Sequence, residues 1–121
     1  MRVLVVDDDE GVRLSFLLLL EELGYPADAV ADGGAALAVL SRCSYDVILM
    51  DYDMPILNGV ETTRAIRARL PCEVQPVIIG VTGKGADARA TCLAAGMDDF
   101  LTKPVRPEQL GDTLCQWLGI P

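Results

Sequence analysis

Five times along this chain a short run of aliphatic residues gives way to a longer segment of helical period, and no linker interrupts the series. Such alternation predicts a parallel sheet with helices on both faces, because parallel neighbours need a crossover and a helix is the usual one. The strand-like runs are Val3–Val6, Ala27–Val30, Val47–Met50, Val77–Val81 and Phe100–Leu101. The first, third and fourth are apolar throughout, which is the signature of strands buried on both faces.

Between them, a first helix is predicted from about Gly11 to Leu23, with Val12, Phe16, Leu19, Leu20 and Leu23 on one face and Gly24 as its stop. Asp32 is the expected N-cap of a second helix, which turns Ala36, Leu37 and Leu40 inward. A third follows Asn58 and Gly59 and carries Val60, Thr63, Ile66 and Leu70 before Pro71. The fourth spans Ala86 to Ala95 and stops at Gly96, and the fifth follows Pro107 with Leu110, Leu114 and Trp117. Five βα units occupy residues 1–121 as a single domain, long enough to bury a core without disulfides or metals.

The net charge of −8 argues against a nucleic-acid footprint, which needs clustered Lys and Arg. Cys43, Cys72, Cys92 and Cys115 form no CxxC pair and the chain contains no His, so they read as small buried hydrophobes in a reducing compartment. The first strand starts too early to leave room for a signal peptide, and Phe16–Leu20 is too short to span a bilayer. A cytoplasmic protein is the expectation, with no membrane partner.

In an open parallel sheet, ligands bind beyond the carboxyl ends of the strands, where the strand order reverses. There the chain places Asp7 and Asp8 after the first strand, Asp51 after the third, Thr82 after the fourth and Lys103 just beyond the fifth. Taken singly, Asp7 to Asp9 read as a solvated acidic turn or an N-cap, Thr82 as a turn residue and Lys103 as a surface charge. Convergent strand ends make them a site. Carboxylates brought so close repel, and a hard divalent cation with oxygen ligands, Mg²⁺ above all, is the usual way to keep them ionised. Phosphoryl transfer consists largely of positioning and neutralising phosphoryl oxygens. Asp51 then reads as the nucleophile, with Lys103 neutralising charge and the Thr82 hydroxyl bonding a phosphoryl oxygen.

The segments VLVVDDDE from Val3, VILMDYDMPILNG from Val47, VIIGVTG from Val77 and GMDDFLTKP from Gly96 together resemble two-component response-regulator receiver domains, along essentially the whole chain. The resemblance implies a flavodoxin-like fold, a doubly wound (βα)5 with strand order 2-1-3-4-5. It implies that Asp8 and Asp51 bind Mg²⁺ directly, with Mn²⁺ able to substitute. Asp7 would then act through water and Asp53 would lend its backbone carbonyl. It also implies a cis Lys103–Pro104 peptide, and a switch in which Thr82 moves toward the phosphate while Phe100 rotates. That switch would remodel the face of the fourth helix, fifth strand and fifth helix, through which dimers are possible. Phe100 lacks a Tyr hydroxyl, Gly83 leaves room for its rotation, and Asp53 and Lys84 occupy positions that tune phosphate loss.

With no His of its own, the chain is expected to be charged by a histidine kinase or a histidine phosphotransfer protein. It would catalyse only its own phosphorylation and slow dephosphorylation, as a stand-alone regulator or as the receiver of a hybrid histidine kinase. A haloacid-dehalogenase-like phosphatase shares a D-x-D pair, here Asp51 and Asp53, but Pro55 stands where that family has Thr or Val, and there is no room for a cap. A flavodoxin-like FMN module needs a hydroxyl-rich loop after the first strand, where this chain has DDDEG. GVTGKG from Gly80 lacks the spacing of a phosphate loop, and Pro55 and Ile56 break a calcium-loop pattern starting at Asp51.

Overall fold

The computed structural model describes residues 2–52, 58–83 and 86–118, with the backbone alone for 86–88. The strands are β1 (Val3–Val6), β2 (Ala27–Val30), β3 (Val47–Asp51), β4 (Val77–Thr82) and β5 (Asp99–Thr102). The helices are α1 (Glu10–Leu23), α2 (Gly33–Leu40), α3 (Gly59–Arg69), α4 (Ala86–Ala95) and α5 (Pro107–Leu118). All strand pairs are parallel and the order is β2-β1-β3-β4-β5, the flavodoxin-like arrangement expected. The order reverses at β1, so the crevice for chemistry lies above the carboxyl ends of β1 and β3.

Alternation along each strand divides the core in two. Leu4, Val6, Ile48, Met50 and Ile78 pack on one face with Ala36, Leu40 and Ile66 from α2 and α3. Val3, Val5, Val47, Leu49, Ile79 and Val81 pack on the other with Phe16, Leu20, Leu110 and Leu114 from α1 and α5. Each fully buried aliphatic side chain contributes about 1.5–3 kcal/mol, which is why the central strands tolerate no polar interruption until their ends.

The helix starts are capped by the short polar residues preceding them. The oxygens Asp9 Oδ1, Asp32 Oδ1 and Asn58 Oδ1 accept from the backbone N–H of Val12, Ala35 and Glu61 at 3.2, 2.7 and 2.9 Å. Gly24 ends α1 at φ 89°, a left-handed conformation that glycine adopts without strain.

Some expectations need correction. β3 and β4 each run one residue further, onto Asp51 and Thr82 themselves, because the ladder pairs Asp51 with Val81 and Thr82 with Thr102. Leu23, in the last turn of α1, lies at the margin beside Gly111 and stays 38% exposed. Of the four cysteines only Cys92 is buried; Cys43 and Cys115 are half-buried, and Cys72 is exposed because it sits on a short 3-10 turn, Cys72–Val74, outside the core. Trp117 is an edge aromatic whose indole N–H donates to Asp99 Oδ2 at 2.9 Å. No described helix is long and apolar enough to cross a membrane.

Candidate functional site

β1 and β3 are neighbours, and each delivers acid at its carboxyl end: Asp7 and Asp8 follow Val6, and Asp51 follows Met50, its register partner. One carboxylate oxygen from each of Asp7, Asp8 and Asp51 can be chosen so that all three lie within 4.8 Å of one another. Asp7 and Asp51 are only 2% and 3% exposed, whereas Asp8 faces solvent. Lys103 arrives from beyond β5, where its backbone N–H donates to the carbonyl of Thr82 at 2.7 Å. Its Nζ stands 3.3 Å from Asp51 Oδ1 and 3.6 Å from Asp7 Oδ2. The Lys103–Pro104 peptide is cis.

Among the described residues, the three carboxylates outnumber the Lys103 ammonium that they face. Burial works against the Lys103 ammonium, but Asp51 and then Asp7 outweigh it and hold its pKa above the ordinary lysine value. The donors are all hard oxygens and the cluster is rich in acid, so the residues present fit Mg²⁺ by donor type and by sign of charge.

Thr82 ends β4 fully buried beside this cluster's lysine. Phe100 lies on β5, half-buried, with the Arg89 guanidinium carbon 5.4 Å from its ring centroid. Of the residues expected to act, the fold therefore gathers Asp7, Asp8, Asp51 and Lys103, puts Thr82 next to them, and leaves Phe100 on β5. Asp53, Lys84, Pro55 and Ile56, named above for metal ligation, phosphate loss and the rejected loop patterns, lie outside the described residues.

Three supporting residues were not singled out for the site from sequence. Asp9, besides capping α1, donates its backbone N–H to Asp7 Oδ1 at 2.9 Å. Arg13 reaches back from α1 to donate from Nη1 to the Asp7 carbonyl at 2.9 Å. Gly59 packs so tightly that a Cβ there would come within 2.3 Å of the Asp51 carbonyl oxygen. Backbone cannot yield as a flexible side chain does, so α3 can start this close to Asp51 only with glycine. The Asn-Gly pair at 58–59 was a visible helix-start signal; the Arg13 contact left no trace in the pattern.

The model of the response regulator receiver domain family matches residues 3–114. The chain belongs to this family. As a receiver domain of two-component systems, it is similar to a segment of the sensor protein GacS of Pseudomonas syringae pv. syringae, 36% identical over 98% of this chain and 14% of that protein. It is likewise 36% identical to the transcriptional regulatory protein ResD of Bacillus subtilis, over 90% of this chain and 44% of that one. The receiver thus spans a minor part of the curated relatives it matches. Among solved structures, it resembles the receiver domain of the sensor histidine kinase PA1611 of Pseudomonas aeruginosa PAO1, which has a magnesium ion coordinated in its active-site cleft (TM-score 0.88, 37% identity, 98% of each chain). The chemotaxis protein CheY4 of Vibrio cholerae is similar at TM-score 0.88 and 32% identity, over 96% of this chain and 97% of that one. These matches give no support to the phosphatase or flavin-binding alternatives.

Proposed function

We propose that Asp51 is the phospho-acceptor of this receiver, charged by phosphohistidine on a histidine kinase or histidine phosphotransfer protein. The observation that carries this reading is the Lys103 ammonium set between Asp51 and Asp7, in a cluster that holds, among the described residues, more acid than that ammonium neutralises. A purely structural ion pair would balance its charges; an unbalanced one is suited to a cation and a phosphoryl group.

An Asp51 carboxylate oxygen attacks phosphorus in line, the P–N bond to the donor imidazole breaks, and the imidazole leaves with the electron pair and takes up a proton. Lys103 neutralises charge on the phosphoryl oxygens, and the Thr82 hydroxyl donates to one of them. Asp7, Asp8 and Asp51, with the Asp53 carbonyl, would hold Mg²⁺ or Mn²⁺. That cation supplies charge neutralisation for acids and phosphoryl group alike. The chemistry is self-modification followed by slow hydrolysis, without turnover of a free substrate. Thr82 and Phe100 would relay the charge to the α4–β5–α5 face, the surface for output or dimerisation. Residues 1–121 act as one receiver unit, in the cytoplasm, without contacting nucleic acid or membrane.

The test is labelling with acetyl phosphate, followed by intact-mass spectrometry. One phosphoryl group per chain is expected with Mg²⁺, none in EDTA, and none in Asp51→Asn. A full phospho-signal in Asp51→Asn, or steady hydrolysis of a generic phosphomonoester by the wild type, would overturn the assignment.

A further inference from the structure

The three acids of the cluster are not held in the same way. Asp7 and Asp51 are buried and share Lys103, and Asp7 Oδ1 also accepts from the Asp9 N–H. Asp8 is exposed, and among the described residues its carboxylate takes no hydrogen bond or ion pair. Its direction is therefore set through its backbone. The peptide that joins it to Asp7 carries the Asp7 carbonyl, and that carbonyl accepts from Arg13 Nη1 at 2.9 Å. On the other side of the same residue, the Asp7 N–H donates to Val30 of β2 at 3.2 Å.

Arg13 is an odd choice at this point in the chain. It lies in the second turn of α1, near the positive end of the helix dipole, where a cation is disfavoured. It is nonetheless half-buried, its backbone N–H bonded to the Asp9 carbonyl and its side chain folded back six residues. The bond that this guanidinium makes falls on one of the two peptides that flank Asp8, the other being held by the Asp9 N–H.

We propose that Arg13 is a positioning residue for the acidic cluster: by holding the Asp7 carbonyl it fixes the Asp7–Asp8 peptide and so orients the Asp8 carboxylate toward a divalent cation. This rests on reading the cluster as a divalent-cation site. Groups that orient ligands without touching the metal commonly carry a tenfold or larger share of its affinity.

Charge and orientation predict opposite signs. If Arg13 acted only as a nearby positive charge, its removal would relieve repulsion and tighten cation binding. If it positions Asp8, its removal weakens binding. The experiment is calorimetric titration of the whole chain with Mg²⁺, and with Mn²⁺ followed by water-proton relaxation, for wild type, Arg13→Met, Arg13→Gln and Arg13→Lys. Met keeps the stem and loses every donor; about tenfold weaker binding is expected, with most of it restored in Lys, which keeps charge and a donor. Gln keeps a donor without charge and falls between, and it serves in place of Met should that variant fail to fold in EDTA. Unchanged or tighter binding in the neutral variants overturns the role of Arg13. Failure of wild type to bind either ion, or undiminished binding in Asp8→Ala, overturns instead the cation-site reading on which it rests.

Discussion

The two ends of the parallel sheet handle charge in opposite ways. At the amino ends of the strands, cations meet acids and hydrogen-bond acceptors that answer them. Arg2 pairs with Asp28 at 2.6 Å while its guanidinium carbon lies 5.0 Å from the Tyr45 ring centroid, and its backbone N–H donates to Asp46. Arg67 pairs with Asp98 at 2.8 Å and donates to the carbonyls of Gly96 and Pro76 and to Gln75 Oε1. At the carboxyl ends, Asp7, Asp8 and Asp51 gather about Lys103, three acids to one lysine among the described residues. Among the described residues, each arginine at the amino end meets its own acid and contributes stability, whereas the carboxyl end crowds acids around a shared lysine and costs stability until something cationic arrives. A charge cluster is thus informative by its imbalance more than by its size.

The sharpest way to break that contrast is at Arg67. Its guanidinium ties α3 to the segment leading into β4 and to the turn between α4 and β5, and Asp98 Oδ2 also accepts from the Ile78 N–H. Arg67→Met leaves a half-buried carboxylate and two carbonyls without that donor, an expected loss of about 3 kcal/mol. Urea unfolding measures it, and the folded fraction should keep its affinity for Mg²⁺. A loss below about 1 kcal/mol would mean the amino end is no better braced than an ordinary surface.

At the other end the sign reverses. In EDTA, Asp51→Asn should raise stability by about 1 kcal/mol, because it removes one of three mutually repelling carboxylates. Saturating Mg²⁺ should stabilise wild type, by about 2.7 kcal/mol at a hundred times its dissociation constant, and stabilise Asp51→Asn less. Thermal unfolding with and without Mg²⁺ reads both effects. Destabilisation of Asp51→Asn in EDTA would show the acidic end to be balanced after all.

Much of this division is legible in the chain because it depends on what stands at the ends of apolar runs. Val3–Val6 followed by Asp7 and Asp8, and Val47–Met50 followed by Asp51, announce both the buried strands and the acids they carry. The caps at Asp32 and Asn58 are equally local, since each bonds a backbone N–H three residues on. Arg67 is different: residues 67, 75, 76, 96 and 98 meet only after α3, β4 and α4 have packed, and no period or spacing joins them. Arg13 fails to stand out for a subtler reason. Its partner is a main-chain carbonyl, which every residue has, so residue identity holds no clue. The cysteines misled for the converse reason, because a small apolar side chain fits a surface turn as readily as a core.

The smallest effect expected is at Tyr45, and pH gives it a signature. Its hydroxyl donates to Asp28 Oδ2 at 2.7 Å; burial, and then that bond, push the phenol pKa from 10.0 up to about 12. The bond from Tyr45, with Arg2 adding to it, holds the Asp28 pKa below the usual carboxylate range. A phenol whose pKa is raised on folding contributes stability in full below its unfolded pKa of 10.0 and loses it as pH climbs toward about 12. A carboxylate whose pKa is lowered contributes above its usual value and loses that contribution as pH falls through the folded one. Tyr45→Phe should therefore cost about 1 kcal/mol near neutrality. The difference from wild type should shrink at both extremes, in the alkaline limb as the phenol ionises and in the acid limb as Asp28 takes a proton. Chemical denaturation across that pH range would show it, and a difference that stays constant above pH 10 would mean that folding does not raise the Tyr45 pKa.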